Sequence, residues 1–239
     1  MTQLNNKTLA DIVSEHNATA DIFEKYNLDF CSGKLELSDS LAEAGINVAE
    51  LLNELEIAID NEPKDNINFN ALSLTEISEI LRNEYHEFLR DKISELTALS
   101  RKIHSKDNSE TVNQIHELLL AIFNHLAPHM VQEEKVLFPY LEYMEHMVLQ
   151  GKLPKPPSFG KIKKSVAGML DDHQDSTDKL DELKRITDDY TCPDNADTDL
   201  KYFYDEIHYL DKNLRMHINI ENNVLFKKAR IMETEMLRN

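Results

Sequence analysis

The chain has 239 residues, with 44 acidic against 26 basic side chains and a formal charge of −18, which argues against nucleic acid and anionic membrane surfaces as partners. Only 5 glycines and no tryptophan leave few tight turns, which disfavours a many-stranded sheet and favours long helices. The longest apolar run, Leu118 to Phe123, is far too short to span a bilayer.

Residues 1–61 read as a small helical cysteine-containing domain. Leu9, Ile12, Val13 and then Ala20, Ile22, Phe23 fit helical spacing. A break at CSGK (Cys31 to Lys34) precedes a helix that Asn47 is expected to cap, with Glu50 at the capping-box position and Val48, Leu51, Leu52 and Leu55 on its apolar face. So small a piece buries little core alone and is expected to dock or to form a homodimer. The opening MTQLNNKTLAD lacks the apolar stretch of a secretory signal. Two cysteines make no disulfide framework, so the expected setting is cytoplasmic.

Residues 62–72 read as a linker, and 73–239 as four long helices. The first runs from about Leu74 to His104, the second from Glu110 to Leu149, the third from Lys161 to Tyr190 and the fourth from Thr198 to Met236. The polar SKDNS, the proline-rich GKLPKPPSFG and TCPDNAD separate them. Such short connections imply antiparallel neighbours, hence an all-α fold built on an up-down four-helix bundle.

The second and fourth helices repeat one pattern. His129, Glu133, Val136, Leu137 and Phe138 recur at the same offsets as His217, Glu221, Val224, Leu225 and Phe226. The first and third align through His86 and His173, followed at matching offsets by Asp91/Asp178, Lys92/Lys179, Glu95/Glu182 and Leu96/Leu183. The two histidines of each hairpin lie 43 and 44 residues apart, so the bundle reads as two copies of a helical hairpin. At 1.5 Å per residue, each of the four histidines stands roughly 26–29 Å from the turn of its hairpin, which puts them at one level near mid-bundle.

Residues four apart share a helical face, so His129 with Glu133 and His217 with Glu221 each present an imidazole and a carboxylate together. Buried carboxylates without partners are costly. A pair of cations removes that cost, and borderline nitrogen and oxygen ligands suit iron. Two octahedral ions offer about twelve positions: four histidines, two bridging glutamates and an oxo or hydroxo bridge leave about two open for a small ligand. The competing reading is a bundle with satisfied core histidines and duplicated packing residues. Val136, Leu137, Phe138 and their counterparts read as core.

On these motifs the sequence resembles the RIC (repair of iron centres) family of bacterial di-iron proteins over nearly the whole chain. The carboxy-terminal part resembles that family's hemerythrin-like domain. The segment LADIVSEHNATADIFEKYNLDFCSGK resembles its cysteine-containing module. The resemblance implies a non-haem di-iron centre that helps to restore iron-sulfur clusters damaged by nitric oxide or oxidative stress. It also implies iron-sulfur proteins as clients and nitric oxide or oxygen as small ligands. Carried over by position, the iron ligands are His86, His129, Glu133, His173, His217 and Glu221, the six that spacing selects. Where the family usually has D-[YF]-C-C-G-G, this chain has Asp29-Phe30-Cys31-Ser32-Gly33-Lys34. Cys31 is thus a single candidate redox thiol, with Lys34 beside it to favour the thiolate.

His125 shares the face of His129 and reads as a group behind the ligands. Pro128 removes a backbone bond to Asn124 and should bend the helix before His129. Glu134, whose repeat partner is Asn222, is expected outside the ligand set. Asp171 and Asp172 read as a solvated face, and Cys192 as incidental. His208 is expected to point away from the metals, and His16, His104, His116 and His146 to serve surface or packing roles. Two alternatives to repair share the site: reduction of nitric oxide or peroxide, and reversible sensing of oxygen or nitric oxide.

Overall fold

The computed structural model describes residues 4, 7–33, 36–37, 46–107 and 109–236. Among them the fold is all-α, and the only extended pairing is a single bridge between Thr8 and Glu36. The elements are α1 (Leu9–Glu15), α2 (Ala20–Lys25), α3 (Val48–Asp60) and four long helices. Of these, α4 comprises Leu74–Ile80, Leu81–His86 and Glu87–Lys106, and α5 comprises Glu110–Gln132, Glu133–Leu137 and Phe138–Leu149. Helix α6 is Ile162–Ile186, and α7 comprises Thr198–Asn219, Ile220–Leu225 and Phe226–Met236. By compactness the chain divides into two units, Ser78–Arg215 and Met1–Ile77 with Met216–Asn239.

Local chemistry explains the helix starts. Ser73 and Glu76 form a reciprocal capping box: each backbone N–H donates to the other's side chain, at 2.8 and 3.2 Å. The Ser109 hydroxyl caps α5 by accepting from Val112 N–H. Thr8 does the same for α1 from Asp11 N–H. Helix α3 begins where the sequence places it, but the Asn47 side chain makes no capping bond. The expected capping box is therefore absent, and Leu51 and Leu55, both fully buried, anchor that helix through its apolar face instead.

Helix α6 ends at Ile186, four residues before the sequence suggests. The chain then holds Asp188, Asp189 and Tyr190 at φ of 49°, 55° and 57°. Three consecutive left-handed residues cannot continue a right-handed helix. The Thr187 hydroxyl accepts from Tyr190 N–H, and the Tyr190 ring stacks on His208 at 4.8 Å, which holds the turn closed.

In the unit Ser78–Arg215, four antiparallel helices close a ring. Arg82 pairs with Glu142 between α4 and α5, and His129 with Asp172 between α5 and α6. Arg215 pairs with Asp181 between α6 and α7, while Lys92 pairs with Glu206 and Phe88 packs edge-on against Tyr209 between α7 and α4. Leu89, Leu96, Ile115, Leu119, Ile122, Val166, Leu180, Ile207 and Leu210 fill the interior.

In the other unit, α1 packs on the turn Ile220–Leu225, so the amino-terminal piece docks within this unit on the last helix. Asn219 donates to the Ser14 hydroxyl at 3.2 Å, and Asn223 donates to the Cys31 carbonyl at 3.1 Å. Gly33 has φ of +64°, and a Cβ there would stand 1.9 Å from Asn223 Oδ1. Both the backbone conformation and the close approach require glycine. The docking also splits the repeat: Val224 is buried beneath α1, whereas its counterpart Val136 is 41% exposed, contrary to its expected place in the core. Leu137 and Phe138 are core, as their spacing suggests.

Candidate metal centre

Three of the four long helices interrupt regular α-geometry with one π-helical turn: Leu81–His86 in α4, Glu133–Leu137 in α5 and Ile220–Leu225 in α7. A π turn adds one residue per turn and rotates everything after it. Such turns cluster at functional sites. Here the three turns contain His86, Glu133 and Glu221, while His173 lies in the unbroken α6.

Within the bundle unit, His86, His129 and His173 gather around Glu133. All four are buried, His86 and Glu133 completely. The two Glu133 oxygens serve different sides: Oε1 lies 3.2 Å from His129 Nε2, and Oε2 lies 3.6 Å from His86 Nε2. Neither oxygen has a hydrogen-bond partner among the described residues. His173 Nε2 faces His129 Nε2 at 3.0 Å. Two imidazole nitrogens converge beside a buried carboxylate that no hydrogen bond satisfies among the described residues, and a cation among them would satisfy all three. The residues therefore fit a metal. In the other unit, His217 and Glu221 are both fully buried, with Nε2 and Oε1 2.9 Å apart. All six residues belong to groups of buried histidine and glutamate side chains able to hold an ion.

The imidazoles are braced from behind. His86 Nδ1–H donates to Glu134 Oε1 at 2.8 Å, and Arg90 donates to the same oxygen at 2.7 Å. Burial would raise the Glu134 carboxyl, but the bonds from Arg90 and His86 outweigh it and hold the group below its ordinary value, as the anion. His129 Nδ1–H donates to Asp172 Oδ2 at 3.2 Å. Both bonds commit Nδ1 to carrying the proton and turn Nε2 toward Glu133. Glu134 touches the back of His86, a contact that no pattern along the sequence signals. Asp172, read as merely solvated, orients His129, because the antiparallel register of α5 and α6 sets it behind that ring.

His125 is exposed and faces Asp175 at 3.6 Å. Cys31 is buried at 3% exposure, with its N–H donated to Asp29 Oδ1; Lys34 lies outside the described residues. His104 and His116 stack on each other at 4.8 Å, and His16 pairs with Glu62, in keeping with packing roles. Cys192 sits in a loop, its thiol pushed up by burial.

Residues 76–229 match the family model described as the hemerythrin HHE cation-binding domain, and residues 5–59 match ScdA_N, a domain of unknown function. The iron-sulfur cluster repair protein ScdA of Staphylococcus haemolyticus is 25% identical over 227 residues, covering 94% of this chain and 98% of its own length. The iron-sulfur cluster repair protein YtfE of Edwardsiella ictaluri is 28% identical over 211 residues, with 87% and 89% covered. That of Pectobacterium atrosepticum is 26% identical over 227 residues, with 94% and 96% covered. No helix among the described residues is long and apolar enough to cross a membrane.

Proposed function

Because the chain belongs to the hemerythrin HHE cation-binding family and, with its amino-terminal module, to the RIC family, we propose that it is an iron-sulfur cluster repair protein holding two iron ions with an oxo or hydroxo bridge. The ligands in this reading are His86, His129, His173 and His217, with Glu133 and Glu221 bridging. Residues 1–61 and 73–239 are its two domains, 62–72 joins them, and its clients are iron-sulfur proteins of the cytoplasm.

The observation that carries the reading is Glu133: buried, without a hydrogen bond among the described residues, each oxygen turned to a different histidine. That is what a carboxylate shared by two ions requires. Bound iron supplies Lewis acidity and one-electron chemistry, and it is also the cargo. The protein's donors are all nitrogen and oxygen. A damaged cluster site offers thiolate and sulfide, which suit iron better, so transfer runs from this chain to the client. Glu134 and Asp172 fix the histidine tautomers and so keep two imidazoles ready as neutral ligands.

The test combines metal analysis with repair. The purified chain should carry two irons and an oxo-bridge absorption band, and His129→Ala or Glu221→Ala should lose both irons while staying helical. Loaded with ⁵⁷Fe, it should reactivate an iron-sulfur enzyme damaged by nitric oxide as ⁵⁷Fe appears in the client. Steady consumption of nitric oxide at constant iron content would assign the site to reduction instead.

A further inference from the structure

We propose that the two ions are held unequally: the ion bound through His129 and His173 leaves first, and Glu134 with Arg90 clamps the ion bound through His86. The inference rests on the di-iron reading and names which position supplies the cargo.

The two sides of Glu133 differ in burial and bracing. On one side His86 is fully buried, and its ring stacks on Phe138 with centroids 5.6 Å apart. Its Nδ1–H bond of 2.8 Å ends on Glu134, a carboxylate only 20% exposed and held by the Arg90 guanidinium at 2.7 Å. A bond to a charged acceptor that is itself fixed by a cation is short, strong and directional. His86 cannot swing off an ion without breaking that chain.

On the other side His129 is 8% exposed, and its Nδ1–H bond is 3.2 Å long. It ends on Asp172, whose side chain is 50% exposed, so water competes for the acceptor. A chelator or client thiolate replaces ligands one at a time, and the first to yield is the one with the weaker brace and the nearer solvent. Partners behind a ligating histidine are worth about 10–100-fold in metal affinity, enough to separate the two release rates.

The experiment loads the full chain with two ferrous ions, confirms the count, and follows their capture by excess ferrous chelator in a stopped-flow absorbance measurement. Two phases of about one iron each are expected. Glu134→Gln should speed the slow phase about 10-fold or more and leave the fast phase alone. Arg90→Met, which keeps the carboxylate, should speed the same phase less. Asp172→Asn should speed only the fast phase. Circular dichroism of each variant checks that the helices persist. One phase releasing both irons, or a Glu134→Gln that changes both phases or neither, overturns the proposal while the di-iron reading stands. A chain that binds fewer than two irons overturns that reading and the proposal with it.

Discussion

At the scale of single residues, the protein buries a carboxylate that none of the described residues satisfies by a hydrogen bond. Glu133 has no exposed area and no hydrogen bond among the described residues. Leaving such a group unpaired costs about 1–3 kcal/mol, and more when it is charged. Glu133→Gln removes the charge, keeps the shape and adds an amide donor for a facing imidazole. The metal-free variant should therefore be more stable than the metal-free parent by about 1–3 kcal/mol, while losing its iron. The order should reverse with metal, since an ion at a hundred times its Kd stabilises the parent by about 2.7 kcal/mol. Thermal melts with and without a chelator decide it; a less stable metal-free variant would refute the account. The six clustered histidine and glutamate positions were legible because duplication printed the same residues twice at equal spacing. Glu134 and Asp172 were not. Their repeat partners are Asn222 and Tyr85, and their role depends on how two helices are phased against each other, which no single-helix pattern records.

At the scale of elements, helix starts were legible wherever a side chain closes them, as Ser73, Glu76 and Ser109 do. The π turns were not, because inserting one residue into a turn leaves composition and apolar spacing nearly unchanged. The packing of α4 against α5 also carries a pH dependence. His104 and His116 stack with ring planes 8° apart, and the Ser100 hydroxyl meets His116 Nδ1 at 2.6 Å. Burial, then the charges of His104 and Arg101, lower the His116 value below 6.5, with Glu117 opposing them. A histidine lowered in the folded state takes its proton more readily when unfolded. Its contribution is therefore complete above about pH 6.5 and is lost as the pH falls through the folded value. Melting temperatures measured downward from pH 7.5 should fall, and His116→Gln should flatten part of that slope. An unchanged slope would remove the pair from the account.

At the scale of the whole molecule, the chain joins segments far apart in sequence into one compact unit, residues 1–77 with 216–239. That the amino-terminal piece needed a docking surface followed from its size; that it sits on the turn Ile220–Leu225 did not, because nothing in residues 1–61 names α7. The tie is narrow. Asn223 reaches a carbonyl 192 residues away at Cys31, and the glycine two places further on leaves it room. Gly33→Ala meets two penalties. The left-handed backbone costs a side chain about 1–2 kcal/mol. The added Cβ also drives Asn223 off its two acceptors, Cys31 and Asn219, at about 1–3 kcal/mol for the buried groups left behind. Together the loss should be about 2–5 kcal/mol, read by urea unfolding. The penalties separate in a double-mutant cycle. In an Asn223→Ala background there is no amide to displace, so Gly33→Ala should cost only the backbone share, about 1–2 kcal/mol. Equal costs in both backgrounds would mean that the turn at Gly33 and the last helix do not press on each other.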